Sequence, residues 1–317
     1  MSGQGGAIVD WCTCTFEFDP ESFGGLVNAL SFTVGLPLQA VESAALRGFL
    51  DGRRIHAFVD GEFVHLATLC WGGESQRGRA MLDVPGAACG MVDWPAMRDF
   101  LESLPESRLT RVDVAVDLHD GQWTVDDAMQ WVRAGDFNCS GRNPSTRIDG
   151  DWLPVLDGGK SREGRTLYVG KARNGKGLRV YEKGRQLGDQ ASEWNRFEVQ
   201  FGNRDRVLPF EMLTDPSRFF VGAYPALERV LAAAGERIAT ISNTAAITIG
   251  RILTWVKASA GKWLHVLASE VDPSELVEAV RVSAVPRRVQ SSAVGAGLLP
   301  EAVRRSFEEW KSWHGNG

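Results

Sequence analysis

Apolar and polar residues alternate with a period of two along three stretches of this chain, the spacing of β-strands with two chemically different faces. In Arg111-Val112-Asp113-Val114-Ala115-Val116-Asp117-Leu118-His119, the residues Val112, Val114, Val116 and Leu118 share one face. Asp113, Ala115, Asp117 and His119 share the other. Between Trp194 and Phe201, the residues Phe197, Val199 and Phe201 oppose Arg196, Glu198 and Gln200. In Leu178-Arg179-Val180-Tyr181-Glu182-Lys183-Gly184, a strand sets Arg179, Tyr181 and Lys183 on one face and Val180 on the other.

The remaining pattern predicts further strands over Ile8–Phe18, Arg54–Phe58, Phe63–Leu69, Ala80–Val84 and Arg165–Gly170, with Asp60-Gly61 as a hairpin turn. A helix is expected from about Pro20. Asp93 is read as the N-cap of another that ends near Leu104. Thr124 caps a third, with Asp127 at the capping-box position and Gly135 as its stop. The polar, Gly-rich stretch 136–164 reads as a long loop or insertion. After about Pro216 the spacing becomes helical, over Ala226–Ala234, Thr244–Ala260, Glu275–Val282 and Glu301–Trp313. These elements predict an α+β fold, a largely antiparallel sheet with flanking helices over residues 1–215, followed by a helical region over 216–317.

Composition narrows the class. The 317 residues are 44% hydrophobic and 24% charged, as in ordinary globular proteins, and no apolar run is long enough to span a membrane. Neither a secretory leader pattern nor a Cys-x-x-Cys pair is present, so a reducing, cytoplasmic setting is expected. The net charge of −5 argues against indiscriminate coating of duplex DNA. Its distribution says more: from Lys160 to Arg206 there are twelve Lys/Arg against six Asp/Glu. That local excess suits a phosphate-binding groove that includes Lys171, Arg173, Arg179, Lys183 and Arg196; a solvated face explains the charge alone equally well. Eleven tryptophans could support base stacking, but most are expected in the core.

A tyrosine between two cations on its own face is a candidate nucleophile for phosphate, and the chain has only Tyr168, Tyr181 and Tyr224 to choose from. Tyr168 and Tyr224 read as structural. Cations beside Tyr181 should lower its pKa and stabilise charge developing on a phosphate. Asp113, Asp117 and Glu198 offer oxygen ligands suited to Mg2+ or Mn2+. The alternatives are an edge strand with a solvated face for the aspartates and a surface ion pair for Arg196 and Glu198.

The stretches Gly164–Gly170, Leu178–Lys183 and Trp194–Glu198 resemble the core of the replication initiation factor family. Val9-Asp10-Trp11, Val84–Cys89 and Thr110–Asp117 are similar to its pattern as well. That family contains rolling-circle plasmid initiators, filamentous-phage replication proteins and some relaxases. The resemblance spans roughly residues 8–205 and implies a rolling-circle nickase-like fold and site-specific nicking at a replication origin in a bacterial cytoplasm. Tyr181 would become linked to the 5′ phosphate, and the freed 3′ hydroxyl would prime a host polymerase. Arg179 and Lys183 would hold the scissile or a neighbouring phosphate, and Arg196 would do the same or orient Glu198.

No two of the five histidines are separated by a single residue, so the His-hydrophobic-His metal motif of many such nickases is missing. Carboxylates, with His119 as a possible fourth ligand, would take its place. A second strand transfer would need a second subunit, water activated by Glu182, or Tyr168, which alternation places among the aliphatic residues of its strand. A conjugative relaxase shares this chemistry, and a DNA-binding regulator without catalysis is the rival from another class. The helical region could meet duplex DNA, a partner subunit or a host helicase, with Arg287-Arg288 and Arg304-Arg305 as small basic clusters.

Overall fold

In the computed structural model, ten strands form one sheet in the order β2-β3-β4-β5-β1-β6-β10-β9-β8-β7, with every neighbouring pair antiparallel. The structure describes residues 6–233 except 60, 140, 157, 160 and 205, and further on 264, 266, 267, 269–280 and 304. The strands are β1 (Ile8–Glu17), β2 (Leu38–Glu42), β3 (Asp51–Val59), β4 (Glu62–Trp71), β5 (Arg79–Val84), β6 (Arg108–Leu118), β7 (Thr146–Gly150), β8 (Arg165–Lys171), β9 (Lys176–Tyr181) and β10 (Asn195–Gly202). The helices that matter for the site are α1 (Phe23–Val34), α2 (Gly86–Cys89), α3 (Trp94–Ser103), α4 (Val125–Ala134), α5 (Trp152–Leu156), α6 (Lys183–Gln186) and α7 (Pro216–Ala223).

The alternation read from sequence sorts the two faces of the sheet. Val112, Val114, Val116, Leu118, Leu167, Val169, Leu178, Val180, Phe197, Val199 and Phe201 are all buried in one core. Helix α4 packs on β8 and β9, and α7 on β6 and β1. The Trp131 ring of α4 lies 6.0 Å from that of Phe197, which fixes the apolar face as the helix-covered one. The capping box of α4 forms as expected: Thr124 Oγ1 accepts from the Asp127 N–H, the Asp127 carboxylate accepts from the Thr124 N–H, and Gly135 stops the helix at φ 84°.

Several elements depart from the pattern. β2 and β7 form the two edges of the sheet, and neither shows an apolar alternation strong enough to read, because an edge strand has little to bury. β7 and α5 occupy part of the predicted 136–164 loop. β9 ends at Tyr181, two residues early, and Lys183 opens the short helix α6. β6 lies between β1 and β10, which removes the edge-strand alternative for its aspartates. The chain divides into a unit over Met1–Gly235 and a second over Glu236–Gly317. The first passes the boundary read at 215 because Phe220, Ala223, Tyr224, Leu227 and Val230 belong to the sheet's core. In the second unit a helix covers Pro273–Val280. The helices expected over 244–260 and 301–313 and the Arg287-Arg288 cluster lie outside the described residues, as does Arg305 of the other cluster. Among the described residues no helix is long and apolar enough to cross a membrane.

Candidate active site

The register of the central strands assembles the site. Residues directly opposite one another in an antiparallel pair share a face. Tyr181 pairs with Arg196, and Arg196 with Asp117; Arg179 pairs with Glu198, and Glu198 with Ala115. Two residues further along β6, Asp113 pairs with Gln200 on β10 and Trp11 on β1. Tyr181, Arg179, Glu198, Arg196, Asp113 and Asp117 therefore occupy one face, opposite the core.

At the centre, the Tyr181 hydroxyl donates to Glu198 Oε2 at 3.0 Å. Arg179 donates to Glu198 Oε1 in a close ion pair. The Glu198 side chain is 1% exposed and that of Arg179 41%, so an arriving ligand meets the guanidinium before the carboxylate. The Arg179 guanidinium lies 5.4 Å from the centre of the Tyr181 ring and Lys183 Nζ 5.6 Å, so Lys183 flanks the tyrosine even from outside the strand. Burial pushes the Tyr181 hydroxyl pKa well above its ordinary value, and the neighbouring Glu198 adds to the rise. Arg196 and Arg179 oppose this but do not reverse it. The expectation that nearby cations would acidify the tyrosine is thus corrected: burial and the carboxylate outweigh them. Burial, assisted by Arg196, lowers the pKa of Lys183.

Arg196 is itself buried, and its donors go to carboxylates other than Glu198. Its Nε and Nη2 donate to the two oxygens of Asp117 at 2.7 and 2.6 Å, and its Nη1 to Asp10 Oδ1 at 2.6 Å. Trp194 Nε1 adds a bond to Asp117 at 2.6 Å. Asp113 is held by Arg111, through Nε at 2.9 Å and Nη2 at 2.5 Å. Burial nevertheless pushes the Asp113 carboxyl up to about 6, with Arg111 opposing. The carboxylates expected to bind Mg2+ or Mn2+ thus share a face, but each is paired with an arginine. Among the described residues no three His, Cys, Asp or Glu side chains could hold a metal ion, so the arrangement does not fit a divalent site. His119 stacks on Trp194, ring centres 4.6 Å apart.

Glu182 is not placed to activate water. It is buried, and it accepts from the Arg165 N–H at 2.8 Å, from Arg165 Nε at 3.3 Å and from Nη2 at 3.1 Å. Arg165 in turn reaches Asp126 at the start of α4. This network pins the chain on the residue after Tyr181. Lys171 and Arg173 stand apart: Thr166 is opposite Tyr181 and Lys171 is five positions on, roughly 17 Å along the hairpin. Tyr224 is buried and donates to the Val169 carbonyl at 3.3 Å, as a packing residue would.

Asp10, Trp11 and Arg111 were missed as site residues. A β-bulge causes the first two omissions: Val9 pairs with Val114 and Trp11 with Asp113, leaving Asp10 unpaired. The extra residue reverses the phase of β1, so Asp10 and Trp11 both reach the polar face although simple alternation separates them. Gly86 of α2 allows the bulge, since a Cβ there would lie 2.7 Å from the Asp10 carbonyl oxygen. Arg111 was legible, being two residues before Asp113 on the same strand.

A family described as replication initiation factor matches residues 107–275, more than half of the chain and the whole of β6 through β10. Among solved structures, the chain is similar to one titled "Structure of Rolling Circle Replication Initiator Protein from Geobacillus stearothermophilus". The two are 21% identical with a TM-score of 0.49, over 67% of this chain and 79% of that one. No curated protein matches the chain.

Proposed function

This chain belongs to the replication initiation factor family, and we propose that it nicks one DNA strand at an origin by attack of Tyr181 on a phosphodiester. The observation that carries the reading is the 3.0 Å hydrogen bond from the Tyr181 hydroxyl to Glu198 on a sheet face that also bears Arg179. A hydroxyl whose ionisation is suppressed needs a base in contact with it, and Glu198 is that base. Tyr181 Oη bonds to phosphorus as its proton passes to Glu198, and the P–O3′ bond breaks. The departing O3′ takes a proton from Lys183, whose lowered pKa suits a donor. Arg179, reachable from solvent, neutralises charge on the non-bridging oxygens. The products are a 5′-phosphotyrosyl link and a 3′ hydroxyl that primes synthesis, as rolling-circle replication requires.

No step uses a metal. Activity abolished by EDTA and restored by Mn2+ would require Arg111, Arg179 or Arg196 to release its carboxylate, and would revise this scheme. The test incubates the protein with supercoiled origin DNA and separates covalent adducts on a denaturing gel. Tyr181→Phe should bind DNA and form no adduct, and Glu198→Gln should slow adduct formation by about 10²–10⁴-fold. An adduct formed by the Phe variant would remove Tyr181 from the role. A wild-type protein that binds the origin without an adduct would leave a DNA-binding regulator.

A further inference from the structure

The polar face carries two aromatic rings that the proposed chemistry leaves unused. Tyr168 on β8 is opposite Arg179 and therefore on the face of Tyr181, not among the aliphatic residues of its strand. The guanidinium of the exposed Arg147 on β7 lies over its ring at 4.1 Å. On the other side of the site Trp11 is opposite Asp113, and the guanidinium of Arg111 lies over the indole at 4.4 Å. Both rings are part-exposed. The first pair is also held: Trp11 donates Nε1 to the buried Asp83 at 3.0 Å, and Arg111 is clamped to Asp113.

Counting strands from β8 through β9, β10 and β6 to β1 separates the two rings by four steps, roughly 19 Å across the sheet. The Tyr181 hydroxyl, reaching to Glu198 on β10, falls between them. Flat rings backed by cations, on a face that also offers Arg179 and Lys183, match a polyanion with exposed bases. A duplex hides those bases in its stack, whereas an unpaired strand presents them. Trp11 lies outside the residues that the family matches.

We propose that Trp11 with Arg111 and Tyr168 with Arg147 are two base-stacking steps that hold unpaired DNA across the polar face, one on each side of the Tyr181 hydroxyl. The assignment rests on the nicking reading for its purpose, but its binding claim can be tested without cleavage. The steps set the path of the strand, so the phosphate between two stacked stretches arrives at Arg179 and Tyr181. Trp11 and Tyr168 are positioning residues for that phosphate.

The experiment measures fluorescence anisotropy of a labelled oligothymidylate and of a labelled duplex with the full chain, in EDTA, over a range of salt. Trp11→Ala and Tyr168→Ala should each weaken oligothymidylate binding about tenfold, leaving duplex binding and the salt slope unchanged. Trp11→Phe and Tyr168→Phe should retain most of the affinity, which separates stacking from misfolding. Arg147→Ala should also reduce the salt slope, because a cation is lost. Alanine variants that bind the oligothymidylate like wild type overturn the proposal, as do equal losses on oligothymidylate and duplex. If the alanine variants lose binding but wild type forms no adduct on origin DNA, the stacking steps stand and the nicking reading fails. If wild type forms the adduct and the alanine variants bind and cleave as it does, the nicking reading stands and the steps fail.

Discussion

At the scale of single residues, the site is a set of buried charges whose partners decide what each can do. Glu198 shares its two oxygens between Tyr181 and Arg179, so one carboxylate restrains the hydroxyl and, in the proposed nicking scheme, takes its proton. Asp113 supplies a pH signature. Its folded pKa of about 6 lies above the ordinary 3.8, so the native state holds the proton more tightly than the unfolded chain. The stabilisation is complete below about pH 4 and is lost as pH rises to about 6, an effect on the order of 1–3 kcal/mol. Asp113→Asn should remove that component. In urea unfolding, the stability of the variant relative to wild type should rise between pH 4 and 6; a parallel pH course for the two proteins would show that Asp113 does not titrate there.

At the scale of elements, irregularities place the chemistry. The bulge in β1 brings Asp10 to Arg196 and Trp11 to Arg111, and the close approach of α2 depends on Gly86. Gly86→Ala would set a methyl against the Asp10 carbonyl, and the strand must move. The expected cost is about 1–3 kcal/mol in chemical denaturation, with weaker oligothymidylate binding because Trp11 shifts as well. An unchanged denaturation midpoint would mean that the bulge absorbs the methyl. The end of β9 is the second irregularity. Glu182 turns inward to Arg165, so the strand stops at Tyr181 and Lys183 approaches the ring from a helix.

At the scale of the whole molecule, every described site residue belongs to the Met1–Gly235 unit. A protein truncated after Gly235 should unfold in a single transition and form the Tyr181 adduct on an unpaired oligonucleotide that carries the nick site. Calorimetry and a denaturing gel check the two outcomes. A truncated chain that folds but forms no adduct would assign the Glu236–Gly317 unit a direct part in the reaction.

Much of this was legible because strand alternation is a local property. The faces of β6, β9 and β10 follow from the spacing of Val112, Val180 and Val199, and the resemblance singles out Tyr181 among three tyrosines. The capping box at Thr124 was equally local. Other features were not local. Arg196 is bonded to Asp10, 186 residues away, a contact that spacing along the chain does not report. The direction of the Tyr181 pKa shift depends on burial, which spacing does not report. By itself the sequence determined which residues share a face on β6, β10 and β9 as far as Tyr181, since side chains alternate along a strand without a bulge. Only the tertiary structure decided which of those residues touch, which charges are already paired, and that Trp11 and Tyr168 flank the tyrosine. Strand order, a bulge and burial depend on contacts between distant segments, and a local pattern carries no record of them.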